Sequence, residues 1–185
     1  MKDSNVKCLE LIRNEIGENI YHFKEGLPII SSINELNLGG NNIGEFGVID
    51  VSTILNKAHN INSISLWGNN IYDNGFKHLS QALSHIEYLN VDTNKIGDQS
   101  ASTLCIVLDT KSLKILSMAN NDITSRGVLA IAESLKHSEV REISFESNRI
   151  NDDGAFVIAA CLRVNSFLMA LNLSKNIIRV KSFDR

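Results

Sequence analysis

This 185-residue sequence predicts an α/β fold: a right-handed β-α solenoid, with about six strands in one parallel concave sheet and helices outside. Three observations predict it. Asn41, Asn69, Asn94, Asn121, Asn148 and Asn176 recur at intervals of 28, 25, 27, 27 and 28 residues, and a sustained period of this length marks stacked units. Each asparagine sits in the same apolar frame, as in Leu36-x-Leu38-x-x-Asn41-x-Ile43. Most copies then continue into a Gly-x-x-x-Leu/Ile-x-x-x-Leu tail, such as Gly127, Ile131 and Leu135. Alternation puts two apolar side chains on one face of a short strand, and four-residue spacing makes a helix face. A unit this small cannot bury its own apolar face, so its neighbours must stack on it.

In chain order, residues 1–32 read as an N-terminal helical cap. Leu9, Ile12, Ile16 and Phe23 fall at helical spacing, opposite Arg13, Asn14, Glu18 and Asn19, and the open edge of a first strand needs a polar-backed lid. Residues 33–178 hold five full repeats and a partial sixth, their strands centred on Leu36/Leu38, Ile64/Leu66, Leu89/Val91, Leu116/Met118, Ile143/Phe145 and Leu171/Leu173. The asparagines belong where the chain turns off each strand toward the interior. A carboxamide both donates and accepts, so it can satisfy backbone groups in its own turn and the next. Glu45, Asp73, Asp98, Ser125 and Asp152 follow at a constant distance, and four of the five are favoured helix N-cap residues, which predicts a structural duty at the helix starts. The connection from Leu83 to Leu89 is the shortest of its kind and predicts a local change of curvature. Residues 179–185 form a short C-terminal tail with no sixth helix, which leaves three readings open: a longer array, a minimal cap from Val180 and Phe183, or an oligomer through the uncapped end.

The full pattern, L-x-x-L-x-L-x-x-N-x-I with its glycine-led tail, resembles the leucine-rich repeat family over roughly residues 33 to 178, and the unit length is similar to its ribonuclease-inhibitor-like subclass. The resemblance implies a horseshoe arc and a non-enzymatic scaffold that binds a protein on its concave face, as an adaptor or as a bacterial effector delivered into a host cell. It also offers an alternative, regulation of a small GTPase, because GTPase-activating proteins of the nuclear-transport GTPase share this repeat type. Those proteins carry an acidic tail that this chain lacks.

Residues pointing out of the strands away from the core should form the binding surface. The middle column, from Asn37 to Asn172, is small and polar. The flanking columns are not. Trp67, the only tryptophan, is expected to project beside Tyr88, with Ile115 one strand on, and exposed aromatic clusters are the material of interface hot spots. Asp92, Glu35, Glu142 and Glu146 surround them with Arg141 and Lys114 at the flank, so a protein partner with a basic or mixed surface is expected. The alternative is that Trp67 folds down over Gly68.

Composition narrows the classes further. The net charge of −3 gives no basic footprint for nucleic acid, and no apolar run approaches the length of a membrane span. Met1-Lys2-Asp3 leads into a charged amphipathic stretch unlike a signal peptide. Cys8, Cys105 and Cys161 are odd in number and widely spaced, which suits free thiols in a reducing compartment. The expected location is therefore the cytoplasm, or a host cytosol for an effector. The five histidines show no paired ligand spacing, Gly39-Gly40 lacks the lysine of a phosphate loop, and Asp152/Asp153 read as helix-start residues. No catalytic residue, metal site or cofactor is expected.

Overall fold

The computed structural model describes residues 5–26 and 32–179, and Pro28, Val180 and Phe183 lie outside them. Seven strands among the described residues form one parallel sheet in chain order: β1 (Cys8–Glu10), β2 (Glu35–Asn37), β3 (Ser63–Ser65), β4 (Tyr88–Asn90), β5 (Ile115–Ser117), β6 (Glu142–Ser144) and β7 (Ala170–Asn172). Between them run α1 (Gly44–Lys57), α2 (Tyr72–Ser80), α3 (Ala101–Asp109), α4 (Ser125–His137) and α5 (Asp152–Leu162). The strand and helix layers enclose one continuous core, in which Leu36, Ile64, Leu89, Leu116 and Ile143 face the helices' Val48, Phe76, Leu104, Ile131 and Ile158. α2, which precedes the short connection after Leu83, spans 9 residues against 14 in α1.

The N-terminus corrects the helical expectation for residues 8–23. Cys8–Glu10 is a strand paired with β2, Leu9 opposite Leu36, and a 3-10 helix follows over Gly17–Phe23. Leu9-x-Leu11-x-x-Asn14-x-Ile16 is thus a further copy of the repeat, 27 residues before Asn41. Alternation at Leu9 and Leu11 prevails over the three- and four-residue spacing because β2 would otherwise expose an unpaired row of backbone donors and acceptors.

Five of the six predicted asparagines are buried, Asn41, Asn69 and Asn94 at 0% exposure, while Asn176 is half-buried, and their bonds have a direction. Oδ1 of Asn69 accepts from the backbone N–H of Asn41 (3.0 Å) and Ile43 (3.2 Å). Its Nδ2 donates to the carbonyls of Leu38 in the preceding repeat and of Leu66 and Trp67 in its own. Asn94 repeats the scheme one unit on. Each asparagine therefore serves its own turn and the preceding one, not the following one. The residue before it adopts a left-handed backbone in every copy, at Arg13, Gly40, Gly68, Thr93, Asn120, Ser147 and Lys175, which turns the chain sharply off the strand.

Helix starts differ from expectation in the same way. Asp98 does not cap its own helix, whose preceding residue is Gly97. Its carboxylate accepts from Thr124 N (2.8 Å), Thr124 Oγ1 (2.6 Å) and Gly127 N (3.1 Å), at the start of α4 in the next repeat. Asp73 does this for Gly97 and Ser100, and Ser125 for Asn151 and Gly154. The side-chain caps within a repeat are Thr124 and Asn151. Capping across repeats explains the tail glycine: a Cβ on Gly127 would stand 2.5 Å from Asp98 Oδ1. Two ladders running in opposite directions thus tie the repeats together, one of asparagines at the strand exits and one of Asp/Ser at the helix starts.

Candidate functional site

The parallel register sorts the outward side chains of the concave sheet into rows. One row runs Cys8, Glu35, Ser63, Tyr88, Ile115, Glu142, Ala170, and the middle row Glu10, Asn37, Ser65, Asn90, Ser117, Ser144, Asn172. Backbone bonds just past the strands align a third, Gly39, Trp67, Asp92, Ala119, Glu146, Ser174. The small polar middle row leaves the floor shallow, and two depressions on this face meet at Tyr88 and Asn90. One is lined by Glu35 and Trp67, the other by Ile115 and Glu142.

Tyr88 stands opposite Ser63, not Trp67, so the two aromatics occupy opposite rows and flank the same hollow without lying side by side. Trp67 is half-buried, and its seat is Gly39-Gly40 in the preceding repeat instead of Gly68. A Cβ built on Gly39 would fall 2.0 Å from Trp67 Nε1, so only glycine admits the ring there. The Arg13 guanidinium lies over the ring, 5.3 Å from its centroid. Arg13 belongs to the N-terminal copy of the repeat, which is why reading residues 1–32 as a helical cap could not place it at the site; the missed signal was Leu9/Leu11 alternation.

The acidic residues divide into two kinds. Asp92 accepts from Ser117 Oγ (2.7 Å) and from the Ala119 N–H (2.6 Å), so its carboxylate ties β4 to the next strand. Glu146 accepts from Asn172 Nδ2 (3.0 Å) and pairs with Lys175 (2.7 Å). The Lys175 hydrogen bond, then its charge, holds the Glu146 carboxyl below the usual carboxylate range. Glu35 and Glu142 are exposed. The face therefore presents Tyr88 and Ile115 half-buried, Trp67 at the opposite rim, and Glu10, Glu35 and Glu142 as exposed carboxylates.

Among the described residues, no group of three or more His, Cys, Asp or Glu is placed to hold a metal ion. Among the same residues, no helix is long and apolar enough to cross a membrane. The three cysteines are free, Cys161 buried and Cys8 exposed.

Known proteins with similar sequences and structures point to the same fold. A family profile described as "Leucine Rich repeat" matches residues 31–51, 82–105 and 111–132. Porcine (Sus scrofa) ribonuclease inhibitor is 23% identical over 138 residues, covering 71% of this chain and 30% of the inhibitor. Human NACHT, LRR and PYD domains-containing protein 13 is 29% identical over 105 residues, covering 54% of this chain and 10% of that protein. The chain thus spans a third or less of these relatives. Among solved structures, the one titled "Leiomodin-1 Actin-Binding Site 2 (ABS2)" superposes with a TM-score of 0.53 at 18% identity, covering 84% of this chain and 77% of that one. Repeat motif, sheet topology and distant relatives agree: the chain has a leucine-rich-repeat fold.

Proposed function

We propose that the chain is a non-enzymatic scaffold that binds a protein partner on its concave face, in the manner of the ribonuclease-inhibitor-like subclass. The observation that carries this reading is the row from Ser63 to Glu142, which sets Tyr88 and Ile115 side by side on a solvent-facing sheet. Trp67 supplies a second anchor across the shallow polar floor. Aromatic anchors ringed by polar groups are where binding energy concentrates, and the accessible carboxylates Glu35 and Glu142 favour a partner with a basic or mixed surface. A relative named for inhibiting a ribonuclease supports a protein target. The scaffold acts in a cytosol, its own cell's as an adaptor or a host's as a delivered effector. Among the described residues β7 pairs only with β6, and its outer edge, with Leu171 and Leu173 partly exposed, gives a second copy a place to stack. The GTPase-activating reading has no observation in its favour.

Affinity capture with the chain as bait, followed by titration of the purified partner, tests the reading. Tyr88→Ala and Trp67→Ala should each weaken binding by about 2 kcal/mol, whereas Leu129→Ala on the outer helices should leave it unchanged. Equal affinity for all three variants would sink the assignment of this face.

A further inference from the structure

A separate depression opens at the strand-exit edge of the N-terminal repeats, away from the concave face. Gly17, Gly44 and Tyr72 occupy the same repeat position, three residues after Asn14, Asn41 and Asn69, and all three have left-handed backbone with φ of 55°, 74° and 56°. The two glycines project nothing and leave space. Tyr72, where glycine would be unstrained, projects a ring at a cost of about 1–2 kcal/mol. Phe46, from the first turn of α1, is 69% exposed although it is a large apolar side chain. Both residues line the depression, and so do Glu18 and Glu45.

The charge state of this pocket selects its ligand. Glu18 and Glu45 have no hydrogen-bond or ion-pair partner among the described residues, so an anion would be repelled and a neutral apolar group would leave both carboxylates uncompensated. Tyr72 already carries one cation outside the depression: the Lys95 ammonium lies 5.0 Å from its ring centroid and 3.0 Å from its hydroxyl. A guanidinium meets both features of the pocket, since it stacks on aromatic faces and forks onto carboxylates. An ammonium is a point charge that does only part of this. We propose that this depression takes an arginine side chain presented by a protein partner, with the guanidinium against Phe46 and Tyr72 and bonded to Glu18 and Glu45. This contact is distinct from the concave face and lets one partner be gripped at the floor and the rim of the arc.

The test uses the isotope-labelled chain and two small probes, acetyl-arginine amide and its neutral isostere acetyl-citrulline amide, followed by nuclear magnetic resonance. The arginine probe should move the Gly44 amide and Phe46 ring signals saturably, and the citrulline probe should not. Phe46→Ala and the double variant Glu18→Gln/Glu45→Gln alter exposed or partly exposed side chains, so both should keep the dispersed spectrum of the folded chain while affinity falls about tenfold. Trp67→Ala should leave the titration unchanged, which separates this site from the concave face. The proposal is overturned by no saturable shift with arginine, by equal shifts from citrulline, or by arginine affinity that survives loss of the carboxylates or of Phe46.

Discussion

Replacing Asn94 by alanine isolates the asparagine ladder. Its four hydrogen bonds run from Asn69 N (2.9 Å) and Ile71 N (3.3 Å) to Oδ1, and from Nδ2 to Leu66 O (2.9 Å) and Asp92 O (3.0 Å). The two carbonyls keep other partners, since Leu66 O also accepts from Asn69 Nδ2 and Asp92 O from Gly68 N. The two N–H groups do not. Asn94 is at 0% exposure, so Asn94→Ala strands two buried donors, each costing about 1–3 kcal/mol. The expected loss is about 2–6 kcal/mol, a large part of a typical domain's 5–15 kcal/mol. Urea unfolding followed by circular dichroism measures it as a shift in midpoint. Asn14 is the internal control: it belongs to the same motif, but among the described residues its side chain makes a single hydrogen bond, donating to Ile12 O at 3.3 Å. Asn14→Ala should cost under about 1 kcal/mol. If Asn94→Ala costs no more than Asn14→Ala, the directional account of the ladder is wrong.

Three further outcomes follow from the packing. Asp98→Ala removes the acceptor for Thr124 and Gly127 at the start of α4 and should cost about 0.5–2 kcal/mol; an unchanged midpoint would return these acids to solvent. Gly39→Ala places a Cβ 2.0 Å from Trp67 Nε1, so the ring must leave its seat, with a red-shifted tryptophan emission and a loss of about 1–3 kcal/mol; an unshifted spectrum would contradict the seat. His85 is pushed below its ordinary value of 6.5 by burial and by the neighbouring His59, 5.2 Å away between ring centroids, against a hydrogen bond to the Ile61 backbone. Below that value the unfolded chain takes up the proton more readily than the folded one, so His85 adds stability above about pH 6.5 that is lost as pH falls. His85→Gln should flatten melting temperature against pH on the acid side, and an equally steep slope would remove His85 as the cause.

Legibility in the sequence tracked how local each determinant was. Leu36/Leu38 and Asn41 announce strand and turn within one repeat, so period and sheet could be read directly. Asp98 could not be read fully, because its cap partners Thr124 and Gly127 lie in the next repeat, and a favoured N-cap residue at a helix start looks self-sufficient. Residues 9–16 satisfied two periodicities at once, Leu9/Ile12/Ile16 for a helix and Leu9/Leu11 for a strand, and only the otherwise unpaired edge of β2 decides between them. Trp67 was recognisable as unusual, but its seat on Gly39-Gly40 and its cover by Arg13 join three repeats. Asp92 and Glu146 looked equivalent to Glu35 and Glu142 by column, and the bonds from Ser117, Ala119, Asn172 and Lys175 separate them.

By itself the sequence determined the repeating strand-helix unit, its parallel stacking and the burial of the asparagines from Asn41 to Asn148, because an apolar period of this length has no other way to cover its faces. The tertiary structure alone decided which repeat each ladder serves, where Trp67 lies and which carboxylates face solvent. Those outcomes depend on side chains meeting across a register of about 27 residues, a distance at which the chain carries no local signal of its partner.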